Sequence, residues 1–77
     1  MARYYGRLKE LRIRYHLRQK EVAAILRIDP RAYGKYERGE RGIPVLCVAM
    51  LADYYKTSMD YILEHTNNPA PYSGRGR

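Results

Sequence analysis

The sequence predicts an all-α domain of five short helices, and three observations support this fold class. Apolar residues recur at helical spacing, helix-capping residues separate the periodic segments, and no segment alternates apolar and polar residues as a half-exposed strand does. With 77 residues and 9.1 kDa, the chain has room for one domain with a small core. We assign this domain to residues 1–66 and a flexible tail, rich in Asn, Pro and Gly, to residues 67–77.

Amphipathic periodicity predicts the first two helices. Helix 1 runs from about Arg3 to Tyr15, and its inward stripe contains Tyr4, Leu8, Leu11 and Tyr15. Its opposite side carries the charged residues Arg3, Arg7, Glu10 and Arg14. Helix 2 covers Gln19 to Leu26, and its inner face consists of Val22, Ala23, Ile25 and Leu26. We expect both stripes to face the core.

Helix 3 has the clearest start and stop signals. Asp29 is a favourable N-cap, Pro30 suits the first helical position, and Gly39 is a natural C-terminal stop. Gly34 is unusual, because a glycine inside a helix costs about 1 kcal/mol relative to alanine. Either it lets the backbone approach a partner closely or it is simply tolerated.

The wheel of helix 3 separates cations from aromatic residues. With Arg31 at 0°, Lys35 lies at about 40° and Arg38 at about 340°, whereas Tyr36 and Tyr33 lie at about 140° and 200°. We expect the tyrosines to face the core and the three cations to face outward. A helix of this width fits the major groove of B-DNA, which is about 12 Å wide. The pattern therefore predicts a DNA-reading helix.

The side chains near the start of helix 3 are the expected base readers. Arg31 lies in the first turn and can donate two hydrogen bonds to guanine O6 and N7. Lys35 can bind the same atoms less rigidly, and Pro30 offers only apolar contact, for example to a thymine methyl group.

The charge distribution favours a phosphate-rich partner. Residues 1–41 hold twelve Arg or Lys against five Asp or Glu, a balance of +7, whereas residues 42–74 hold one Lys against three acids, a balance of −2. Arg75 and Arg77 add +2, which brings the total to +7. One half of the domain is thus strongly basic, as in nucleic-acid-binding proteins. A basic surface that only keeps the protein in solution is the alternative explanation.

Arg12 and Glu37 both lie at the edge of an apolar face, where an unpaired charge is costly. We expect them to form an ion pair that ties helix 1 to helix 3. Two separate solvated charges are the alternative.

Helix 4 is expected to run from Ile43-Pro44 to about Tyr55, and Ser58 to cap a short helix 5 that ends at Glu64. Helix 4 is apolar on all sides from Val45 to Ala52, which is more apolar surface than a five-helix domain can cover. We assign its core-facing residues as Val45, Val48, Ala49 and Ala52. The residues left outside, which predict a homodimer interface, are Leu46, Met50 and Tyr54, with Cys47 nearby. A helix that is simply central to the core is the alternative.

Two segments, Gln19-Lys-Glu-Val-Ala and Asp29-Pro-Arg-Ala-Tyr-Gly-Lys-Tyr-Glu-Arg-Gly39, resemble the helix-turn-helix of Cro/C1-type (XRE-like) bacterial and phage regulators. Downstream, Leu51-Ala-Asp-Tyr-Tyr-Lys-Thr-Ser58 and Asp60-Tyr-Ile-Leu63 are also similar to that family. The resemblance covers roughly residues 6–65, and the tail is similar to that of short Gram-positive members.

The resemblance implies a five-helix, lambda-repressor-like domain that binds double-stranded operator DNA. Repression of transcription by steric occlusion is the expected mode of action, because nothing in the sequence looks like an activation surface. Base-reading positions of the family fall on Pro30, Arg31 and Lys35. The phosphate-contacting positions that it implies are Gln19, Arg38 and Arg41, and we assign Lys20, beside Gln19, to the same group. The family also has the tie between Arg12 and Glu37.

Three features depart from the family pattern. Arg27 stands where the turn between helices 2 and 3 often carries Gly, so it is strained if that position needs a positive φ. Arg18 replaces the usual Ser, Thr or Asn cap of helix 2. Pro30 and Gly34 are unusual recognition-helix residues, so the operator sequence does not follow from the resemblance.

Other function classes fit the sequence less well. No nucleophile–His–acid set, phosphate-binding loop or metal-ligand cluster stands out, so we expect no enzyme activity, cofactor or metal. RNA binding needs exposed aromatic residues, but we assign most of the nine tyrosines to the interior and only Tyr5 and Tyr72 to freer positions. An antitoxin-like or adaptor module that binds another protein through the same fold is the main alternative.

The sequence also predicts a cytoplasmic, nucleoid-associated protein with no membrane contact. The longest apolar run is too short to span a bilayer, and the first residues lack an apolar signal region. Cys47 is the single cysteine and is therefore expected to be a reduced thiol.

Overall fold

Five α-helices joined by short turns form the domain in the computed structural model, which describes residues 4–71. The helices are α1 (Gly6–Arg14), α2 (Gln19–Leu26), α3 (Pro30–Arg38), α4 (Val45–Tyr54) and α5 (Met59–Ile62). No strand occurs in residues 4–71, so the predicted all-α class is confirmed. Within the same range, no helix is long and apolar enough to cross a bilayer.

The core is built from one apolar face of each helix. α2 packs closely on α3, and α4 and α5 close the core from the other side. Tyr33, Leu8, Leu51, Ile62 and Val22 are fully buried. The other buried apolar residues are Leu11, Ala23, Leu26, Cys47, Val48, Ala52, Tyr55 and Tyr61. Because α2 and α3 share this core, their solvent-facing sides are held at a fixed position relative to each other.

Side-chain and backbone groups at the helix N-termini explain where three helices begin. Asp29 Oδ1 accepts a hydrogen bond from the Arg31 amide, 2.8 Å away, and Ser58 Oγ accepts one from the Tyr61 amide, 3.0 Å away. Arg18, in the cap position of α2, has no side-chain acceptor. Glu21 compensates, because its Oε1 accepts from the Arg18 amide over 2.7 Å.

Every helix in the described range is followed by a residue with left-handed backbone conformation. Gly39 follows α3 in this way, and the other four positions carry side chains: His16, Arg27, Lys56 and Glu64. After α2, the Arg27 amide donates a hydrogen bond to the Ala24 carbonyl oxygen, and the Ile28 amide donates one to the Ala23 carbonyl oxygen. These are the paired bonds of a Schellman motif. Arg27 has φ 60° and ψ 45°, so the strain considered from the sequence is present in the turn between α2 and α3.

α1 begins later than predicted, and this changes the position of two tyrosines. The helix starts at Gly6, with Tyr5 as an extended N-cap residue, so Tyr4 precedes the helical stripe and is 57% exposed. The prediction that Tyr4 faces inward is therefore wrong, and so is the prediction that Tyr5 is freer, because Tyr5 packs against the core. Tyr15, which was assigned to the same inward stripe, is 40% exposed, so that assignment is also wrong. The backbone of Tyr4 lies on Gly39, where an added Cβ would be 3.0 Å from the Tyr4 Cα.

Arg7 also differs from its predicted solvent-facing position. It is half-buried, its guanidinium lies 4.0 Å from the centre of the Tyr61 ring, and its Nη1 donates to the Tyr61 carbonyl oxygen over 2.8 Å. Its Nη2 donates to Asn67 Oδ1, 2.6 Å away. Arg7 therefore joins α1 to α5 and to the segment that follows it.

The first residues of the predicted tail contact the domain. Besides the contact of Asn67 with Arg7, the Pro69 carbonyl oxygen accepts a hydrogen bond from Thr57 Oγ1 over 2.6 Å. Residues 72–77, including Tyr72, lie outside the described residues. The domain boundary at residue 66 and the flexibility of residues 67–77 stay predictions.

The core-facing side of α4 differs from the predicted one. Val48 and Ala52 are buried as expected, but Val45 is 72% exposed and Ala49 is only half-buried. The buried face is centred on Val48 and Leu51, about a quarter of a turn from the predicted centre, and it includes Cys47. An all-apolar helix has no polar face to indicate its rotation, which explains the error.

Candidate nucleic-acid interface

α3 has one side in the core and the other in solvent. Tyr33 is fully buried and Tyr36 half-buried, whereas Arg31, Lys35 and Arg38 are exposed. Pro30 is exposed at the start of the helix. The tyrosines and cations thus lie on the sides expected from the wheel, and the cationic side of α3 is exposed.

Three predicted DNA-contacting cations lie around one shallow depression of about 370 Å³. Arg31 and Lys35 reach it from α3, and Arg41 reaches it from the loop that follows. The Arg41 amide approaches the Lys35 carbonyl oxygen at 3.4 Å, which folds the loop back onto the helix end. Asp29 and Ala32 complete the rim. The fold therefore gathers a base-reading candidate and a phosphate-contacting candidate at one end of α3.

Arg38 is exposed but already paired with a carboxylate. Its Nε lies 2.7 Å from Glu40 Oε2, and both side chains are about half exposed. The hydrogen bond from Arg38 lowers the pKa of the Glu40 carboxyl, and the same bond raises the pKa of Arg38. A phosphate that binds Arg38 must compete with this pair.

Glu37 lies beneath the cationic stripe and is the hub of a buried polar network. Arg12 Nε donates to Glu37 Oε2 over 2.8 Å, and Arg12 Nη2 donates to Oε1 over 3.0 Å. Gln19 Nε2 donates to Oε1 over 3.0 Å, and the Tyr33 hydroxyl donates to Oε2 over 2.8 Å. The network joins α1, α2 and α3, so it holds the helix-turn-helix against the rest of the domain.

The network changes the acidity of its members. Burial favours the neutral form of Glu37, but hydrogen bonds from Arg12, Gln19 and Tyr33 outweigh it, and the pKa of the carboxyl lies below its ordinary value. The hydrogen bond to Glu37 raises the pKa of Arg12. Burial, followed by the nearby Glu37 charge, raises the pKa of Tyr33 far above the ordinary value for tyrosine. The pair is thus charged, and Tyr33 neutral, at neutral pH.

The two predicted phosphate contacts of α2 differ in their surroundings. Lys20 is exposed and free to reach a phosphate. The Gln19 amide is already engaged by Glu37, so its side chain offers a remaining N–H and its oxygen. Gln19 lies at the first position of α2, where backbone amides also point outward.

Gly34 faces side chains of its own domain. A Cβ at this position would lie 3.3 Å from the Gln19 amide oxygen and 3.1 Å from Arg38 Nη1. The glycine thus leaves room for two of the predicted phosphate-contacting side chains, which is neither close approach to DNA nor simple tolerance.

Sequence reasoning missed four residues of this surface. Lys9 and Tyr4 line a second depression beside Gln19, Arg12, Glu37 and Arg38. Asp29 and Glu40 lie next to the cations Arg31 and Arg38. In both Asp29–Arg31 and Arg38–Glu40 the acid and the base are two residues apart across an end of α3, which is the one feature that the sequence displays for these pairs.

The exposed side of α4 carries the residues predicted to form a dimer interface. Leu46 is 71% exposed and Met50 is half-buried. Tyr54 is partly exposed, and its ring lies 5.5 Å from that of Tyr55 and 6.2 Å from that of Tyr15, measured between ring centres. With Val45 added, the apolar surface is larger than predicted.

Groups for metal binding or thiol chemistry do not stand out in the described residues. No three His, Cys, Asp or Glu side chains among residues 4–71 lie close enough to hold a metal ion. Cys47 is buried, and burial raises the pKa of its thiol, which disfavours the reactive thiolate.

A comparison with known families matches residues 8–62, more than half of the chain, to the Helix-turn-helix family. The chain belongs to this family of XRE-like, Cro/C1-type regulators. It is 35% identical over 68 residues to an uncharacterized HTH-type transcriptional regulator, YobD, of Bacillus subtilis strain 168. The alignment covers 88% of this chain and 61% of that protein, so the chain spans about three fifths of the relative's length. No solved structure matches the chain.

Membership of the helix-turn-helix family identifies which helices of this domain form the DNA-binding motif. The matched region includes α2, the turn at Arg27 and all of α3, which are the two helices and the turn of the family motif. The family consists of DNA-binding regulators rather than enzymes, in agreement with the prediction that the chain is not an enzyme. The cationic side of α3 is thus the outer side of the second helix of the motif.

Proposed function

We propose that this chain is a sequence-specific, double-stranded DNA-binding transcriptional regulator that acts as a homodimer. The observation that carries the proposal is the two-sided α3, with Tyr33 fully buried and Arg31 and Lys35 in solvent. The exposed side of α3 enters the major groove, and the cations around its ends bind phosphates. A cytoplasmic, nucleoid-associated location follows from this activity.

The candidate contacts divide into two groups. Base edges are read by Pro30, Arg31 and Lys35, of which Arg31 is best suited to guanine. Phosphates are bound by Gln19, Lys20, Arg38 and Arg41. Because phosphate contacts release counterions, affinity falls steeply with salt.

Repression of transcription through a palindromic operator is the expected mode of action. Two copies related by a two-fold axis match half-sites separated by one helical turn, about 34–36 Å. The exposed face of α4, which includes Leu46 and Tyr54, supports self-association. A dimer on its operator then blocks access of polymerase to the same DNA.

Selection of bound duplexes from a random pool tests this proposal. We expect the recovered sequences to have two-fold symmetry. The Arg31→Ala variant should discriminate less at one base pair of each half-site and lose about 1–3 kcal/mol of binding free energy. Arg41→Ala serves as the matched control, since it should weaken all sequences alike and flatten the salt dependence. Recovery of random sequences would contradict the proposal.

A second candidate function is that of an antitoxin-like or adaptor module that binds another protein. The exposure of Val45 and Leu46 at the start of α4 favours a protein partner of some kind. Selective duplex binding by the isolated chain separates the two functions, because an adaptor needs no base preference.

A further inference from the structure

Asp29 contacts Arg31 in two ways. Its Oδ1 accepts a hydrogen bond from the Arg31 backbone amide over 2.8 Å, which caps α3. The same oxygen lies 3.6 Å from Nε of the Arg31 side chain, which is 91% exposed. One carboxylate therefore sits at the base of the side chain that is the main base-reading candidate.

The side-chain contact contributes little to folding. At 3.6 Å it is an ion pair rather than a hydrogen bond, and exposed ion pairs add little to stability. Its effect is on the direction of the guanidinium. A long arginine side chain loses rotamer freedom when it binds, and a partner that already restricts it reduces that loss.

The chemistry of guanidinium suits a shared role. Arg31 carries one N–H on Nε and two on each Nη. Guanine accepts two hydrogen bonds, at O6 and N7, and the two Nη groups can supply both. The Nε–H then remains for the carboxylate of Asp29, on the side of the guanidinium that faces the protein.

We propose that Asp29 is a positioning residue for base recognition: it holds the Nε edge of Arg31 while the two Nη groups of Arg31 bind O6 and N7 of one guanine in each half-site. This inference rests on the proposed function, because it requires α3 to lie in the major groove. Asp29 itself touches no base in this arrangement.

The proposal predicts two opposite effects of removing the Asp29 charge. Discrimination falls, because Arg31 loses the group that directs it. Affinity for unrelated DNA rises, because a negative charge near the phosphates is gone. A capping role alone leaves discrimination unchanged, since Asn caps helices about as well as Asp. The rise in affinity for unrelated DNA follows from the lost charge in either case, so the loss of discrimination is the effect that identifies a positioning role.

The test compares the full-length wild-type chain with Asp29→Asn, Arg31→Ala and Asp60→Asn. Asp60, which is 71% exposed on α5, is a control with the same change of charge away from α3. Dissociation constants are measured for the selected operator and for a duplex with the Arg31-dependent guanine replaced by adenine in one half-site. Melting temperatures are measured in parallel.

We expect Asp29→Asn to lower the guanine-to-adenine affinity ratio about three- to tenfold, with an unchanged melting temperature and tighter binding to unrelated DNA. Asp60→Asn should keep the wild-type ratio. A wild-type ratio in Asp29→Asn, beside a reduced ratio in Arg31→Ala, would overturn this inference and leave the proposed function intact. If Asp29→Asn instead lost a preference for a cytosine next to that guanine, the inference would also be overturned, because Asp29 would then read a base directly. Absence of selective binding by the wild type would overturn both.

Discussion

Tyr33 and Glu37 lie one turn apart on α3, and the Tyr33 hydroxyl donates a hydrogen bond to Glu37 Oε2 over 2.8 Å. By contrast, the buried Tyr55 hydroxyl has no hydrogen-bond partner among the described residues. We expect Tyr33→Phe to lower the free energy of unfolding by about 1.5–3 kcal/mol, because a buried carboxylate loses a donor. Tyr55→Phe should not lower it, since no bond is lost and an unpaired buried hydroxyl is removed. Urea unfolding of both variants, followed by circular dichroism, checks this, and equal losses would contradict it.

Acid should destabilise the domain through Glu37. Its folded-state pKa is lowered, so the stability that the charged carboxylate contributes is present above its unfolded pKa of about 4.3. That stability is lost as the pH falls through the folded pKa. In Arg12→Gln, the main donor is removed, the pKa of Glu37 rises, and the loss of stability begins at higher pH. Unfolding midpoints between pH 2 and 7 measure the shift, and identical profiles would refute the coupling.

Release of Arg38 from Glu40 should increase DNA affinity. The pair occupies the guanidinium edge that a phosphate would use. We expect Glu40→Gln to bind all duplexes more tightly and to steepen the salt dependence by about one counterion. Glu10→Gln is the matched control, because Glu10 pairs with Arg14 on α1 at the same degree of exposure. Equal gains in both variants would show a general charge effect rather than release of Arg38.

The left-handed conformation of Arg27 predicts a stabilising substitution. This backbone region costs a side-chain-bearing residue about 1–2 kcal/mol, whereas Gly adopts it freely but loses more entropy on folding. Arg27→Gly should therefore raise the free energy of unfolding by about 0.5–1 kcal/mol. Ala24→Gly, at an exposed position inside the same helix, should lower it by about 1 kcal/mol. Thermal melts of both variants give the comparison, and two losses of similar size would argue against strain at Arg27.

Self-association should depend on the exposed face of α4. A charge at Leu46, which is mostly exposed, leaves the core intact but prevents two apolar faces from meeting. We expect Leu46→Glu to be folded, monomeric in sedimentation and weaker on a two-half-site duplex. Ile13→Glu, a similar change at an exposed position on α1, should stay dimeric. A wild-type chain that sediments as a monomer at high micromolar concentration would exclude the dimer.

Local signals made α2 and α3 predictable in full. Asp29, Pro30 and Gly39 act through backbone geometry within a few residues, so their effect does not depend on the rest of the fold. The wheel of α3 was equally informative, because its two sides differ strongly in polarity. The fold class and the orientation of Arg31 and Tyr33 follow from these features.

Other features depended on contacts that a sequence does not display. The start of α1 was misplaced because Tyr5 offers no capping side chain, so nothing local marks it. The rotation of α4 was misjudged at Val45 because all of its faces are apolar. The role of Arg7 arises from residues more than fifty positions away, and only the folded chain brings them together.

The two ends of the described chain meet. The Gly6 amide donates to Glu64 Oε2 over 3.0 Å, and Arg7 Nη2 donates to Asn67 Oδ1, so the start of α1 is tied to the segment that follows α5. The same packing of helices is then compatible with a different order of the helices along the chain. Gly42, which stands in open space between α3 and α4, offers a point at which the chain can be opened. A circularly permuted chain that is cut there and joined across the meeting ends keeps α1, α2 and α3 contiguous, and with them the DNA-reading face.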